Sequence, residues 1–568
     1  MSDEGWLSDR RLAWLLGITI VALIARLMFL GDRIAHWDEG RVGYEILRYM
    51  ATGAWEYRPI VHGPFLPQVN KHVFAILGAG DFSARVIVAV VGGLLPLAAW
   101  LYRDHLDRVE LVVLAGFLAA DPLLLYYSRF MRNDVLVAAF AFVAFGCLLR
   151  LLESGRVRYL HFAALAFGLS LTTKENAILY PVAIGGAVIL LFDHRLFLAR
   201  DAEPSWKTVT RRHLWRVGRG LIRYRYHLAI AVIEILLIVV YFYAPRAGPT
   251  GGIGLWKALL TPSMLPDVIQ AGTVGAGEKL VSQWIQGSLN EHGYLPFLGS
   301  FLKALGGASG GLALFALIGF LVDRYGGDRP RNLVSLGFYW GFASVLGYPI
   351  AVDIRAPWSA IHAVVPLAIP AAVGIAIIYR WGMEALADND RVGVGLAGLV
   401  LLLVAGQVAG TAVSGVYLND QREGNVLVQY AQPEGEMRPA LDAVDRAAAD
   451  SNGLDVLWYG RYFLVENESQ ADRLPLADGE WYNRLPLPWY LELSEATVNS
   501  TATPGGLEAW LASEDPPVVI TCQGVEECPS EGSMDGLRRR LDGYTELTYE
   551  GRQFRLEFVF FIEDRYLA

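Results

Sequence analysis

Charge is what this chain of 568 residues has least of: Asp, Glu, Lys and Arg make up only 18% of it, against 54% in the hydrophobic set. Soluble domains carry about a quarter of their residues as charges, so the composition excludes an ordinary cytosolic protein and points to a polytopic membrane protein. Cysteine is equally scarce, with 3 in all, which excludes a disulfide-rich scaffold. Cys147 lies inside an apolar run, as a small core residue does. Cys522 and Cys528 are spaced to close a short loop if that region faces an oxidising compartment, and no neighbouring His or Cys suggests zinc. No glycine-rich phosphate loop follows any strand-like segment, so no nucleotide-binding domain is expected. Lysine is missing altogether from residues 417–568, which hold 28 acids against 12 Arg. Such an acidic tail disfavours nucleic acid as a partner and suits a high-salt environment.

What the chain does have is long apolar runs, near 11–30, 84–102, 109–127, 134–152, 159–173, 177–192, 228–245, 309–322, 332–351, 359–379 and 392–416. Most are long enough to cross a hydrocarbon core of ~30 Å, giving about eleven spans. Arg10 and Arg11 before the first run mimic a signal sequence, but no small-residue cleavage site closes it, so a retained helix is expected. The expected fold is a polytopic α-helical membrane domain over 1–416, with large external loops at 31–83 and 246–296, followed by a soluble α/β domain over 417–568. In that tail, β-rich runs at 425–431, 454–460, 516–522 and 554–562 alternate with helical stretches at 437–450 and 535–543.

Orientation follows from where Lys and Arg collect, since cytoplasmic loops are enriched in them. Residues 193–227 contain Lys207 and eight Arg and are therefore expected in the cytoplasm. Counting spans outwards from there puts the N-terminus inside and the acidic tail outside the cell. The sequons at Asn467 and Asn499 mildly favour an external tail. The weak point is 295–323, readable as an interfacial helix, part of one span or an extra span that would invert everything after it.

With this orientation, four ionic clusters fall on the external side: WDEG at 37–40, SRFMRND at 128–134, TKEN at 173–176 and DIRAPW at 353–358. Arg129, Arg132, Lys174 and Arg355 then stand where basic residues are under-represented, and need counter-charge. Internal pairing supplies one reading: Arg132 with Asp134, Lys174 with Glu175, Arg355 with Asp353. A phosphate-binding mouth supplies the other, since Arg offers a planar fork to phosphate oxygens and Lys a compact charge. Of Asp38 and Glu39, one can act as general base while the other orients partners or binds an acceptor, because neighbouring residues face different directions. Capping of the following helix is the plainer role for that pair. His62, in the turn His62-Gly63-Pro64, and Trp358 and His362 at the tenth span complete the candidate substrate contacts. Arg26 and Glu234 are charged residues within spans, with no role assigned.

An Asp-Glu pair in the first external loop with an amphipathic segment behind it, SRFMRND in a second loop, many spans and a C-terminal α/β domain together resemble the GT-C superfamily. Its members include protein O-mannosyltransferases and lipid A aminoarabinose transferases. PLPWY at 486–490 is similar to a segment in the tails of related archaeal proteins, and the chain most resembles the archaeal flippase-activity-associated group of the surface glycosylation pathway. The resemblance implies transfer of a sugar from a polyprenyl (dolichyl) phosphate donor to an external acceptor, with inversion at the anomeric carbon. Carried over residue by residue, Asp38 is similar to the catalytic carboxylate, Asp134 to the second-loop acid, and Lys174 and Arg355 to contacts for the donor phosphate. The WWD-type signature of oligosaccharyltransferases is absent, which disfavours bulk glycan transfer to Asn. A divalent cation held by Asp38, Glu39 and Asp134 would help neutralise the phosphate, but no obligatory metal or other cofactor is expected. The alternative is a non-catalytic protein that assists translocation of lipid-linked glycans. That needs a polar path through the membrane, and the spans have few ionisable residues at mid-depth apart from Glu234.

Overall fold

The computed structural model describes residues 10–59, 62–198, 206–248, 252–284, 293–326, 330–352, 354–450, 453–468, 480–551 and 555–567. In chain order the first half holds α1 (Arg10–Leu27), α2 (Trp37–Thr52), α3 (Phe65–Leu77), α4 (Asp81–Leu94, prolonged by a tighter turn to Tyr102), α5 (Arg108–Ala120), α6 (Pro122–Tyr127), α7 (Asp134–Ser154), α8 (Arg158–Thr173), α9 (Leu179–Leu198) and α10 (Trp206–Tyr243). Three short helices follow, α11 (Leu255–Leu260), α12 (Leu265–Gln270) and α13 (Ala276–Trp284). Then come the long α14 (Tyr294–Tyr325), α15 (Asn332–Ala351), α16 (Ile361–Ala387) and α17 (Arg391–Ala412).

Among the described residues, 8 helices are long and apolar enough to cross a membrane. The runs expected at 11–30, 109–127 and 159–173 also fold as helices, but α1, α5 and α8 have only 18, 13 and 16 residues. After α5 the chain is broken by Asp121, whose carboxylate accepts from the Leu123 and Leu124 N–H groups while Pro122 starts α6. A proline at that first position loses no helical hydrogen bond. Residues 295–323, ambiguous in the sequence, lie in the single 32-residue helix α14, which bends where Ser309 leaves helical geometry.

The centre of the bundle is α16, 89% of whose most apolar window is buried. Glycine makes this possible at two facing positions. A Cβ on Gly319 would meet the Pro370 carbonyl oxygen at 2.0 Å, and one on Gly374 the Phe315 oxygen at 2.2 Å, so α14 and α16 touch backbone to backbone.

The tail forms a five-stranded mixed sheet of β1 (Val456–Tyr459), β2 (Val498–Thr501), β3 (Val518–Gln523), β4 (Tyr544–Glu550) and β5 (Glu557–Glu563), in the order β2-β1-β3-β5-β4. Its helices are α18 (Arg438–Asp450), α19 (Leu487–Leu493), α20 (Pro504–Ser513) and α21 (Glu531–Arg540). Three of the four expected β runs pair as strands. Residues 425–431 do not: they form turns whose carbonyls serve side chains of the helical domain, Leu427 O accepting from Tyr127 and Tyr430 O bonding His36. Strands β2 and β4 escaped the sequence reading because both are polar and half exposed, without the apolar alternation that marks a buried face. Cys522 and Cys528 are joined as a disulfide, and Cys147 is buried. The Asn467 sequon ends on Ser469, outside the described residues.

The tail packs on the helical domain through the PLPWY segment. A Cβ on Gly40 would lie 2.6 Å from Pro486, and one on Gly43 2.6 Å from the Trp489 ring, so α19 sits directly on the backbone of α2. Trp489 and Tyr490 donate to the carboxylate of Asp81 at 3.0 Å each, and Arg438 pairs with it at 3.0 Å. The Ala35 N–H donates to Tyr490 Oη at 2.7 Å and Gln432 Nε2 to the Ile34 carbonyl at 3.1 Å. Tail residues thereby fix the segment that enters α2.

Candidate active site

Helix α2 begins where the sequence puts WDEG. His36 is its N-cap: Nδ1 accepts from the Asp38 N–H at 3.0 Å, so Nε2 carries the proton and donates to Tyr430 O at 2.9 Å. Asp38 and Glu39 then occupy the first helical turn, where the helix dipole favours negative charge. One residue apart, they point to different surroundings.

Glu39 is 2% exposed and fully engaged. One oxygen accepts from Arg85 Nε at 2.9 Å and the Met131 N–H at 2.7 Å; the other accepts from Arg33 at 2.9 Å, the His36 N–H at 3.0 Å and Arg85 at 3.1 Å. Burial alone would raise its proton affinity, but Arg33 and Arg85 outweigh that and hold the carboxyl at about 2. With every lone pair used, Glu39 pins α2 to the SRFMRND loop. Of the two roles open to the Asp38–Glu39 pair, these contacts leave the Glu39 oxygens taken up by Arg33, Arg85 and two backbone N–H groups.

Asp38 faces the other clusters. Its carboxylate is ion-paired with Arg132, lies 3.6 Å from His36 Nδ1, and keeps 22% of its side chain exposed. Burial opposes its charge, yet Arg132, His36 and His62 hold it below the usual carboxylate range. Arg132 stacks on the Trp358 ring, 3.8 Å from its centroid, contacts His62 Nε2 at 3.3 Å and reaches towards Asp134, with Nε 3.6 Å from the carboxylate. Asp134 opens α7 and is wholly buried; Lys174, at the end of α8, pairs with it at 2.7 Å. His362 Nε2 lies 3.5 Å from the same Asp134 oxygen, with its Nδ1 bonded to Tyr180 at 2.6 Å and its ring stacked on Tyr348.

All four sequence clusters therefore converge at one end of the bundle, in a chain of contacts running Asp38, Arg132, Asp134, Lys174. Pairing is not the one anticipated: Lys174 takes Asp134 rather than Glu175, and Arg132 takes Asp38 first. Glu175 instead accepts from the Tyr57 hydroxyl at 2.8 Å. Arg129, expected among the substrate contacts, donates its guanidinium to the Ala25, Arg26, Met28 and Phe29 carbonyls and caps the end of α1. Helices end on unpaired carbonyls that cations satisfy well. Arg355 is exposed and bonds no other described residue; Asp353, its expected partner, lies outside the described residues.

Two openings touch neighbours of the chain of charges, one at His62 and one at Tyr180. A narrow polar cleft lined by Arg41, Glu45, Tyr57, Arg58, His62 and Asn133 reaches it from the α2 side. The Gly63 backbone closes one wall, since its N–H donates to Thr173 O and a Cβ there would lie 2.3 Å from Thr172 O. On the other side an apolar groove of ≈ 490 Å³ runs between α7, α8, α9 and α10 and includes Tyr180, the partner of His362. No cluster of metal-ligand type occurs among the described residues. Asp38, the one acid of the set with partial exposure, is already paired by a cation, so the residues present do not form a ready cation site.

Sequence reasoning missed His36, Arg33, Arg85 and Tyr180. Arg85 left a signal, a cation just inside an apolar run, whereas His36 and Tyr180 look like any loop or span residue. Glu234, unassigned before, receives His161 Nδ1 at 2.9 Å and so ties α8 to α10.

The engagement of His36 and Glu39 predicts a pH dependence. Burial pushes the His36 imidazole from 6.5 down to about 4, and Glu39 falls from 4.5 to about 2. Both bind fewer protons folded than unfolded, so their contribution to stability is complete above 6.5 and declines on acidification, through His36 first and Glu39 below it. Thermal unfolding in detergent at stepped pH checks this. His36→Asn, which keeps a side-chain N-cap acceptor, should flatten the decline between pH 6.5 and 4; an unaltered profile removes His36 as its source.

Comparison with known proteins adds to this geometry. Residues 61–203 match the dolichyl-phosphate-mannose-protein mannosyltransferase family, and residues 437–563 match the Agl23 flippase-associated protein C-terminal domain. A comparison with curated protein sequences finds no match. Among solved structures the fold is similar to ArnT from Cupriavidus metallidurans in the apo state, at 16% identity and a TM-score of 0.55, over 99% of each chain. It is also similar to the same protein bound to undecaprenyl phosphate, at 17% identity and a TM-score of 0.53, over 98% of this chain and 99% of that one. At such identities the likeness is one of fold.

Proposed function

We propose that this chain, a GT-C-type membrane glycosyltransferase related to the Agl23 group, moves a sugar from a polyprenyl (dolichyl) phosphate donor to an acceptor hydroxyl outside the cytoplasm. The observation that carries the reading is the buried chain Asp38–Arg132–Asp134–Lys174, which adjoins a polar cleft through His62 and an apolar groove through Tyr180, the partner of His362. The groove suits an isoprenoid tail, and the cleft suits a hydrated acceptor. The undecaprenyl phosphate of the ArnT structure is a ligand of the same chemical kind.

In the proposed reaction the acceptor oxygen attacks the anomeric carbon from the side opposite the phosphate. Asp38 takes the hydroxyl proton, the bond from carbon to phosphate oxygen breaks, and the lipid phosphate leaves with the electron pair, inverting the centre. Resting Asp38 is a weak base because Arg132 holds its charge. An arriving phosphate competes for Arg132, and as that guanidinium turns to the phosphate oxygens the proton affinity of Asp38 rises. Arg132 thus couples donor binding to base strength. Asp134 holds Lys174 and His362 in place, and Arg355, three residues before Trp358, meets the phosphate at the mouth.

An external active site agrees with the basic residues of 193–227 and with the disulfide of the tail, which persists in oxidising compartments. A halophilic archaeal source fits the acidic tail. The test is incubation of the purified full chain with radiolabelled polyprenyl-phosphate sugars and identification of the labelled acceptor; label that stays on the lipid with every sugar would favour the accessory role in glycan translocation. Arg355→Ala should raise the KM for donor by about tenfold or more, the worth of one charge-assisted contact, with kcat and folding unaltered because Arg355 is exposed. An unchanged donor KM takes Arg355 out of the phosphate site.

A further inference from the structure

Helix α10 has 38 residues, and its two halves differ in kind. Residues 228–243 are the apolar span. Residues 206–227 hold seven Lys and Arg, from Lys207 to Arg225, and no Asp or Glu. Large apolar side chains interleave them: Trp206, Leu214, Trp215, Val217 and Ile222 are between 48% and 68% exposed. Arg219 lies over the Trp215 ring at 4.1 Å, so cations and aromatics share one surface.

The depth of this half follows from its neighbours. At the active-site end, Tyr243 donates to the Leu171 carbonyl; at the far end, His161 near the start of α8 meets Glu234 and His227. A helix continuing straight along the bundle would carry residues 206–226 roughly 30 Å beyond that level. Along it the His213 ring packs on Phe192 at 5.4 Å, and Phe192 closes the apolar run of α9. The basic half therefore lies where α9 leaves the apolar layer, at the membrane face opposite the active site.

We propose that residues 206–226 bind anionic lipid headgroups at that face. Seven cations without one acid need an anionic partner, and cation clusters next to a span draw anionic lipids. The exposed Trp, Leu and Ile exclude a simple polyanion such as RNA, which would match the charge and leave the apolar side chains in water. A lipid surface satisfies both, with guanidinium groups among the headgroups and rings at the boundary with the acyl chains. The surface stands apart from the proposed reaction, and its bound lipid would seat α10, one wall of the apolar groove.

Backbone hydrogen exchange of the full chain tests this in two nanodiscs, one of phosphatidylcholine alone and one containing phosphatidylglycerol as well. Exchange across 206–226 should be at least about tenfold slower with phosphatidylglycerol, the effect of a few such contacts, while 228–243 exchanges alike in both. Replacing Arg211, Arg212, Arg216 and Arg219 by Gln should erase the difference, with protection of 228–243 reporting an intact span. Equal exchange of the native chain in the two discs, a difference that survives the four substitutions, or one that extends equally over 228–243 would each overturn the proposal.

Discussion

Asp38→Asn is expected to lower sugar transfer by about 10²–10⁴-fold, the usual cost of losing a positioned base, while the protein still inserts and elutes as the native chain. Asn keeps the shape of Asp and one carbonyl oxygen for Arg132, so the loss reports the missing charge. Because Arg132 would lose one of its two carboxylate neighbours, the donor should bind as well as before or better, and the defect should appear in kcat rather than in KM. The measurement is initial transfer rate against donor concentration for native and variant proteins. Undiminished transfer would remove Asp38 from the mechanism, and a defect confined to donor KM would recast it as a binding residue.

One position along, the expected result is of another kind. Glu39→Ala leaves Arg33 and Arg85 buried without their shared carboxylate, and breaking one side of a buried ion pair costs about 3–5 kcal/mol. Arg85 keeps the Leu30 and Arg33 carbonyls, at 3.0 and 2.9 Å, and Arg33 keeps the Arg129 carbonyl, but neither contact supplies a counter-charge. The variant should therefore lose yield and unfold well below the native temperature in detergent. A Glu39→Ala protein that is as stable as the native one yet inactive would contradict the anchoring role and return Glu39 to the chemistry.

This contrast between adjacent acids marks the limit of sequence reading. The sequence leaves open which of Asp38 and Glu39 reacts, since each is a carboxylate in the first turn of one helix. Only packing separates them, because Glu39 turns towards α4 and the backbone of the SRFMRND loop while Asp38 turns towards Arg132. Arg129 and Arg132 are alike in the same way. Three residues apart in one loop, one caps the end of α1 and the other links two carboxylates, and nothing in their local sequence distinguishes a helix cap from a site cation. The tail offers a parallel case at 425–431, where a strand-like run spends its carbonyls on Tyr127 and His36 instead of a ladder.

By itself the sequence determined the class of this protein. Scarce charge and long apolar runs force helices into a bilayer, because unpaired backbone groups cannot be exposed to lipid, and the scarcity of ionic residues made four short clusters stand out as a candidate site. Tertiary structure decided how those clusters pair. A salt bridge depends on a few ångströms between side chains that lie 40 to 94 residues apart, as Lys174 and Asp134 or Arg132 and Asp38 do, and such distances are set by how α2, α7, α8 and α16 pack.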